Sequence, residues 1–307
     1  MVGPPTIDSQ TARDQLPCLL CKAEQVETMH RADPYRIVRC KSCRLVFTLP
    51  RLPSEDLRKM YQEDYWNSDV AKDFGYTDYL ADEELYVQTF KLRSRLIRRH
   101  VPAPASILDV GCAAGFGLRA FRELGYDVYG VELSEPMSQE ARKRAGDPQR
   151  VVTGELRENL FDGRKFDLIT FWDVIEHIED PVALLATARS MLAPGGTIVL
   201  ETQNVRSLFA RLLGIRWQHY KFEEHLYHFD PVTVVELLRQ AGLRRIDWTS
   251  RYGGKYVSVG FIVERIGRVH RFLSTLLTPL KLFAGKKLYV NVYDEMLVVA
   301  QPEPADG

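Results

Sequence analysis

The 307-residue chain has no apolar run approaching the ~18 residues needed to span a bilayer, and its opening Met1-Val2-Gly3-Pro4-Pro5 carries no apolar leader. A cytoplasmic protein is expected. There is no excess of charge either. Lys plus Arg and Asp plus Glu number 41 each, so no global field recruits nucleic acid or an anionic membrane, and partners must be read from local sites. Internal repeats and low-complexity tracts are absent. Cysteine is scarce, at five, and four of the five form Cys18-x2-Cys21 and Cys40-x2-Cys43 with eighteen residues between the pairs. That is the spacing of a two-knuckle zinc site rather than of a disulfide framework. Thiolates two residues apart on tight turns can grip one tetrahedral ion, and a segment this small has little apolar area to fold on otherwise. A redox role for the CxxC pairs is disfavoured, since nothing like a thioredoxin βαβ unit surrounds them.

What the chain does have is a buried strand that breaks into a glycine-rich turn. Ile107-Leu108-Asp109-Val110-Gly111-Cys112-Ala113-Ala114-Gly115-Phe116-Gly117 is followed, 21 residues past Gly111, by Glu132 at the end of a second strand. Glycine lets the backbone approach a ligand and take positive φ, while a carboxylate at the next strand tip can accept hydrogen bonds from two ribose hydroxyls. The spacing G-x-x-x-G-x-G misses the G-x-G-x-x-G register that seats a pyrophosphate on a helix N-terminus.

From about Ser106 to Ala300 the chain resembles the class I S-adenosylmethionine-dependent methyltransferases, whose first motif has this form and whose second strand ends in an acid. Further pieces follow in family order: Val128 to Ser134, Gly154-Glu155-Leu156, Phe166 to Ile178, and Leu192-Ala193-Pro194-Gly195-Gly196. The resemblance implies an α/β fold with a seven-stranded, mostly parallel, Rossmann-like sheet whose last strand runs antiparallel beside the fifth. It also implies S-adenosylmethionine as cofactor. Asp109 would orient the loop amides or the cofactor's ammonium, Gly111 and Gly115 would keep the floor open, and Glu132 with Leu133 would take the ribose. Glu155 and Leu156 would meet the adenine. Cys112 is expected beside the cofactor as a packing residue, and Trp172 and Asp173 lie at the carboxyl edge of the fourth strand, where open α/β sheets bind ligands.

Organisation along the chain follows from composition and periodicity. Residues 1–15 are polar and expected to be disordered, 16–50 form the zinc ribbon, and 51–100 form a helical cap or lid in which Tyr61, Tyr65 and Trp66 could close over the cofactor. The methyltransferase domain covers 101–302, with strands at about 106–110, 127–131, 150–152, 167–172, 196–202, 243–250 and 290–300. A basic amphipathic insert at about 260–285 carries Ile262, Ile266, Val269, Leu273, Leu276 and Leu280 at helical spacing. A second patch interleaves Leu208, Phe209, Leu212 and Leu213 with Arg206 and Arg211. Both usually pack on their own domain; the sharper reading is a contact with a membrane surface or a lipid-linked acceptor.

The acceptor side is expected in two segments. Phe171-Trp172-Asp173-Val174-Ile175-Glu176-His177 lacks the Pro-Pro-Tyr element of nucleobase N-methylating relatives and looks more like the small-molecule branch that includes ubiquinone-pathway O-methyltransferases. In some of that branch the positions of Asp173, Glu176 and His177 have been linked to a divalent ion; capping and orienting the loop is the plainer role. The second segment, Trp217 to Phe229, holds three histidines, two tyrosines and adjacent carboxylates. Its Glu224-His225-Leu226 resembles an element of sugar methyltransferases that also carry a cysteine ribbon. His225 is the expected base, with Glu224 orienting it and His177 as a further candidate, because imidazole titrates near neutrality and can accept a hydroxyl proton. The expected reaction is methyl transfer to an oxygen, less readily a carbon, of a small molecule or sugar. Two alternatives stand beside it: an RNA methyltransferase that grips its substrate with the ribbon, for which seven Lys/Arg against five Asp/Glu in residues 1–50 give weak support, and a non-catalytic cofactor-binding scaffold.

Overall fold

The computed structural model describes residues 16–52, 80–263 and 285–304. The N-terminal tail, the trio Tyr61, Tyr65 and Trp66, and most of the amphipathic insert lie outside the described residues.

The chain opens with three antiparallel strands, β1 (Val26–Ala32), β2 (Tyr35–Cys40) and β3 (Val46–Leu49). Helix α1 (Glu83–His100) leads to the main sheet: β4 (Ser106–Val110), α2 (Phe116–Glu123), β5 (Asp127–Glu132), α3 (Glu135–Ala145), β6 (Val151–Thr153), β7 (Phe166–Trp172), α4 (Pro181–Ser190) and β8 (Leu192–Gln203). After α5 (Leu208–Leu213) and the two-residue β9 (Tyr227–His228) come α6 (Thr233–Gln240), β10 (Leu243–Thr249), β11 (Lys255–Ser258), β12 (Lys287–Val290) and β13 (Glu295–Pro302).

The seven-stranded sheet has the order β10-β13-β8-β7-β4-β5-β6, parallel except at β13, which runs antiparallel to both neighbours. Alternation along the strands divides the core between two faces. On β13, Met296 and Val298 join one cluster with Leu108, Ile198 and Leu200 beneath α4 and α6, while Leu297 and Val299 join the other with Ile107 and Val199 beneath α1 and α2. The result is a three-layer Rossmann-like sandwich.

The ribbon's sheet gains a fourth strand, β9, from the segment after β8, pairing Val46 with His228 and Phe47 with Tyr227. Cys18, Val38, Leu45 and Phe47 share one buried cluster with Leu226, Phe229 and the main-sheet residues Phe171 and Leu200. The strand expected at 290–300 is two elements, because β12 pairs with β11 in a separate hairpin before β13 enters the main sheet. β8 runs from Leu192 through Gln203, four residues earlier and one later than expected, and its Glu201, Thr202 and Gln203 are buried.

Candidate active site

The cofactor side is built from backbone. Gly111 has φ +73° and Gly115 φ +80°, a region that L side chains seldom adopt. A β-carbon on Gly111 would lie 2.8 Å from Val174 Cγ2, and one on Gly115 would lie 2.7 Å from the Ala141 Cα. Gly115 is thus fixed by the packing of α2 on α3, in addition to its turn conformation. Glu132 ends β5 with both oxygens engaged: Oε2 accepts from the Ala113 amide and Oε1 from the Ser134 amide, each at 2.8 Å. Burial raises its pKa, and these amides oppose the shift. A carboxylate has capacity beyond two bonds, so hydroxyl donors can still be accepted.

Asp109 is 1% exposed and accepts from Thr170 Oγ1 at 2.7 Å. Burial pushes its pKa up to about 7, against the pull of the Thr170 bond and with a further push from Glu132. Cys112 is buried, its sulfur faces Gly130, and burial together with the charges of Glu132 and Asp109 holds the thiol protonated, so it packs and does not attack. Leu133 and Leu156 are partly buried and Glu155 is exposed, beyond the tips of β5 and β6. Trp172 closes the floor, with Phe90 edge-on at 5.5 Å and Phe121 stacked at 6.2 Å.

Beside it the acceptor side is built from side chains. Asp173 takes φ +54° and turns its carboxylate to Lys255 Nζ at 3.4 Å; burial would raise its pKa, but Lys255 and Arg93 outweigh that and hold it at about 2. Lys255 also meets Glu295 at 3.1 Å. Arg93, a buried residue of α1 whose guanidinium lies over the Trp172 ring, pairs with the fully buried Glu201 at 2.6 Å. Composition gave no sign of this cluster, because its members come from α1, the residue after β7, β8, β11 and β13.

Of the expected catalytic residues, His177 and His225 come together. The rings of His177 and His225 meet edge to face at 4.5 Å, and Glu176, His177 and His225 bring one ligand atom each within 4.8 Å of one another. Glu176 accepts from Thr202 Oγ1 at 3.1 Å, and burial raises its pKa well above the carboxylate range. Its backbone carbonyl accepts from the Leu226 amide at 2.8 Å, which ties the loop after β7 to the histidine segment. Burial holds His177 down to about 4 and His225 well below its ordinary value, so both imidazoles are neutral at neutral pH. Gln203 Nε2 lies 3.5 Å from His225 Nδ1, too far to dictate which ring nitrogen carries the proton. Glu224 is buried with Oε2 at 3.2 Å from Lys221 Nζ. His219 is also drawn in, 3.4 Å from Asp294 and 3.6 Å from Glu295.

In the ribbon, Cys18 Sγ lies 3.4 Å from Cys43 Sγ and Cys21 Sγ 3.5 Å from Cys40 Sγ, with all four sulfurs within 4.8 Å of one another and no disulfide among them. A tetrahedral ion bound at ~2.3 Å separates its sulfur ligands by roughly 3.8 Å, so this donor set fits one. Elsewhere, Leu208 and Leu212 of α5 stand exposed, as do Arg206 and Arg211, while Phe209 packs inward against the Trp217 cluster. No described helix is long and apolar enough to cross a membrane.

Comparison with known proteins agrees with this architecture. The chain is 28% identical over 181 residues to the ubiquinone biosynthesis O-methyltransferase of Roseobacter denitrificans and 30% identical over 181 residues to that of Cereibacter sphaeroides. In each case 52% of this chain and 72% of the relative is covered. Among solved structures, the magnesium protoporphyrin IX methyltransferase of Synechocystis PCC 6803 with bound SAH shares the fold at 16% identity and TM-score 0.51, covering 82% of this chain and all of that one. The 1,6-didemethyltoxoflavin-N1-methyltransferase of Burkholderia thailandensis does so at 18% and 0.51, covering 91% and 100%. A family model described as a methyltransferase domain matches residues 81–247, more than half of the chain. The chain belongs to this methyltransferase-domain family and has the class I, S-adenosylmethionine-dependent architecture.

Proposed function

We propose that the chain methylates an oxygen of a small-molecule acceptor, with His225 as the base. The observation that carries this reading is the edge-to-face meeting of the buried His225 with the half-buried His177, both neutral, at the carboxyl edge of the sheet, beside the strand tips that form the cofactor cradle. Relatives named as ubiquinone biosynthesis O-methyltransferases support oxygen as the acceptor atom and a small molecule as its bearer. They lend nothing to the sugar or glycan acceptor that Glu224-His225-Leu226 suggested, and no observation favours an RNA acceptor or a non-catalytic scaffold.

S-Adenosylmethionine supplies a methyl group on a sulfonium that leaves as a neutral thioether. The chain's own work is to align and to move a proton. Glu132 would hold the ribose, Asp109 the ammonium, and Leu156 and Glu155 the adenine. Trp172 and Asp173 would border the transfer site. Fixing the acceptor in line can be worth roughly 7–11 kcal/mol. A neutral His225 then takes the hydroxyl proton, and Glu224 and His177 keep it in place. Cys18, Cys21, Cys40 and Cys43 would hold a structural zinc. Leu208 and Leu212 beside the acceptor segment are the surface on which contact with a lipid-linked acceptor would rest.

The test is incubation with methyl-labelled cofactor and fractionated host extract. Label should enter small soluble or lipid-soluble molecules; entry into RNA or protein alone would overturn the reading. One observation supports a second role for the same residues: Glu176, His177 and His225 form a donor set suited to a divalent ion. Metal analysis separates the two, since that site would give about two ions per chain, falling to one in His225→Ala, whereas the ribbon alone gives about one.

A further inference from the structure

Thr48 sits at the end of the ribbon, 1% exposed, with no part in the chemistry described above. It nevertheless makes three bonds to the acceptor segment. Its amide donates to the Leu226 carbonyl at 3.1 Å, its hydroxyl donates to the His225 carbonyl at 2.8 Å, and the hydroxyl oxygen lies 3.2 Å from His228 Nε2. A threonine hydroxyl has one proton. With that proton committed to the His225 carbonyl, the oxygen can only accept from His228, so Nε2 carries the hydrogen. His228 is fully buried, and burial holds it neutral, down to about 3, which leaves the ring one N–H to give. Its Nδ1 has no partner among the described residues, as expected of the bare nitrogen of that tautomer.

The peptide from His225 to His228 is clamped from both sides. On one side Leu226 and Tyr227 are held by the Glu176 carbonyl and by Gln203 Nε2, which donates to the Tyr227 carbonyl at 2.9 Å. On the other, the ribbon pairs Val46 and Phe47 with this segment and the Thr48 amide adds its bond to Leu226, but the His225 carbonyl lies outside that ladder. Only the Thr48 hydroxyl among the described hydrogen bonds reaches it.

We propose that Thr48 is a positioning residue for methyl transfer: its hydroxyl fixes the His225 peptide and selects the Nε2–H tautomer of His228, which makes the ribbon a wall of the acceptor site. The proposal rests on His225 as the base, and the experiment keeps the two apart. Thr48→Val removes the hydroxyl at nearly constant shape, and Thr48→Ser retains it. Spectra of 15N-histidine-labelled protein report the tautomer and surroundings of each ring without any acceptor. Wild-type protein should show Nε2–H at His228, and Thr48→Val should shift both His228 and His225. In the active extract fraction, Thr48→Val should lower kcat about tenfold or more with cofactor affinity unchanged, and Thr48→Ser should recover most of it. An Nδ1–H tautomer at His228 in the wild type overturns the proposal, even should Thr48→Val fail to fold. So do unchanged histidine spectra in Thr48→Val, or full turnover in Thr48→Val while His225→Ala is inactive. Should His225→Ala itself turn over normally, His225 is not the base, and the proposal that Thr48 serves methyl transfer falls with it even where the spectra shift.

Discussion

The two halves of the sheet's carboxyl edge are made by different means. On the proposed cofactor side, residues 109–117 and 130–134 lie close together in sequence, and their geometry is set by backbone: positive-φ glycines and the amides of Ala113 and Ser134 on Glu132. On the acceptor side, Arg93, Asp173, Glu201, Lys255 and Glu295 come from elements far apart in sequence and meet as charged side chains, and Thr48 reaches across from the ribbon to the His225 carbonyl. Buried ions are costly unless each is paired, so a site of that kind depends on every element arriving together. The contrast teaches that the cofactor cradle should tolerate damage elsewhere, whereas acceptor turnover should fail when any distant part is disturbed.

The largest effect tests that directly. Cys40→Ser should take the metal content from about one zinc per chain toward none and abolish turnover, because the ribbon shares its core with Leu226 and Phe229, while cofactor binding persists. Metal analysis together with calorimetry decides it; parallel loss of cofactor affinity would erase the distinction between the two halves. Next in size, His225→Ala should lower turnover by roughly 10² with cofactor affinity intact. Only neutral imidazole accepts a proton, and burial depresses this one, so wild-type turnover should hold steady as pH falls through the ordinary histidine range near 6.5 and decline only below it. A decline centred at 6.5 would assign the base to an exposed group.

On the cofactor side, Glu132→Ala should weaken S-adenosylmethionine about tenfold or more, charged hydrogen bonds being worth roughly 1.5–3 kcal/mol each. The same change frees the Ala113 and Ser134 amides, so calorimetry should be paired with a melting curve. Wild-type affinity in a folded variant would remove Glu132 from the ribose.

This asymmetry also governs what could be read from the chain. β4, β5 and β7 lie within a residue or two of their expected limits, because a parallel strand buried on both faces is a continuous apolar run that ends at a glycine or an acid. The glycine loop and Glu132 were legible for the same local reason. The ribbon's cysteines announced their cluster by spacing. Nothing announced β9, a two-residue strand whose partner lies some 180 residues earlier. Arg93 sits two positions from Arg95 in a basic helix, and only the tertiary fold makes one a buried partner of Glu201. Thr48 carries no local signal, because its partners His225, Leu226 and His228 lie some 180 residues away.

The last effect expected is a titration on the cofactor side, read in stability and not in turnover. Asp109 is buried against Thr170, and its pKa stands near 7 instead of about 3.8. For an acid with a raised folded pKa, the native state keeps a proton that the unfolded chain has lost. Its contribution is therefore fully present below about 3.8 and is lost as pH rises through about 7. Asp109→Asn cannot titrate, so its stability relative to wild type should improve between pH 5 and pH 8 by a few kcal/mol at most, measured as urea midpoints. An unchanged difference across that range would mean that Asp109 is already ionised. The same proton is the sharpest local probe of the cofactor. If the cofactor's ammonium pairs with Asp109, binding near pH 6 should release a proton, visible as a dependence of the calorimetric heat on the buffer's ionisation enthalpy. Asp109→Asn should abolish that release, and His225→Ala, across the divide, should leave it untouched.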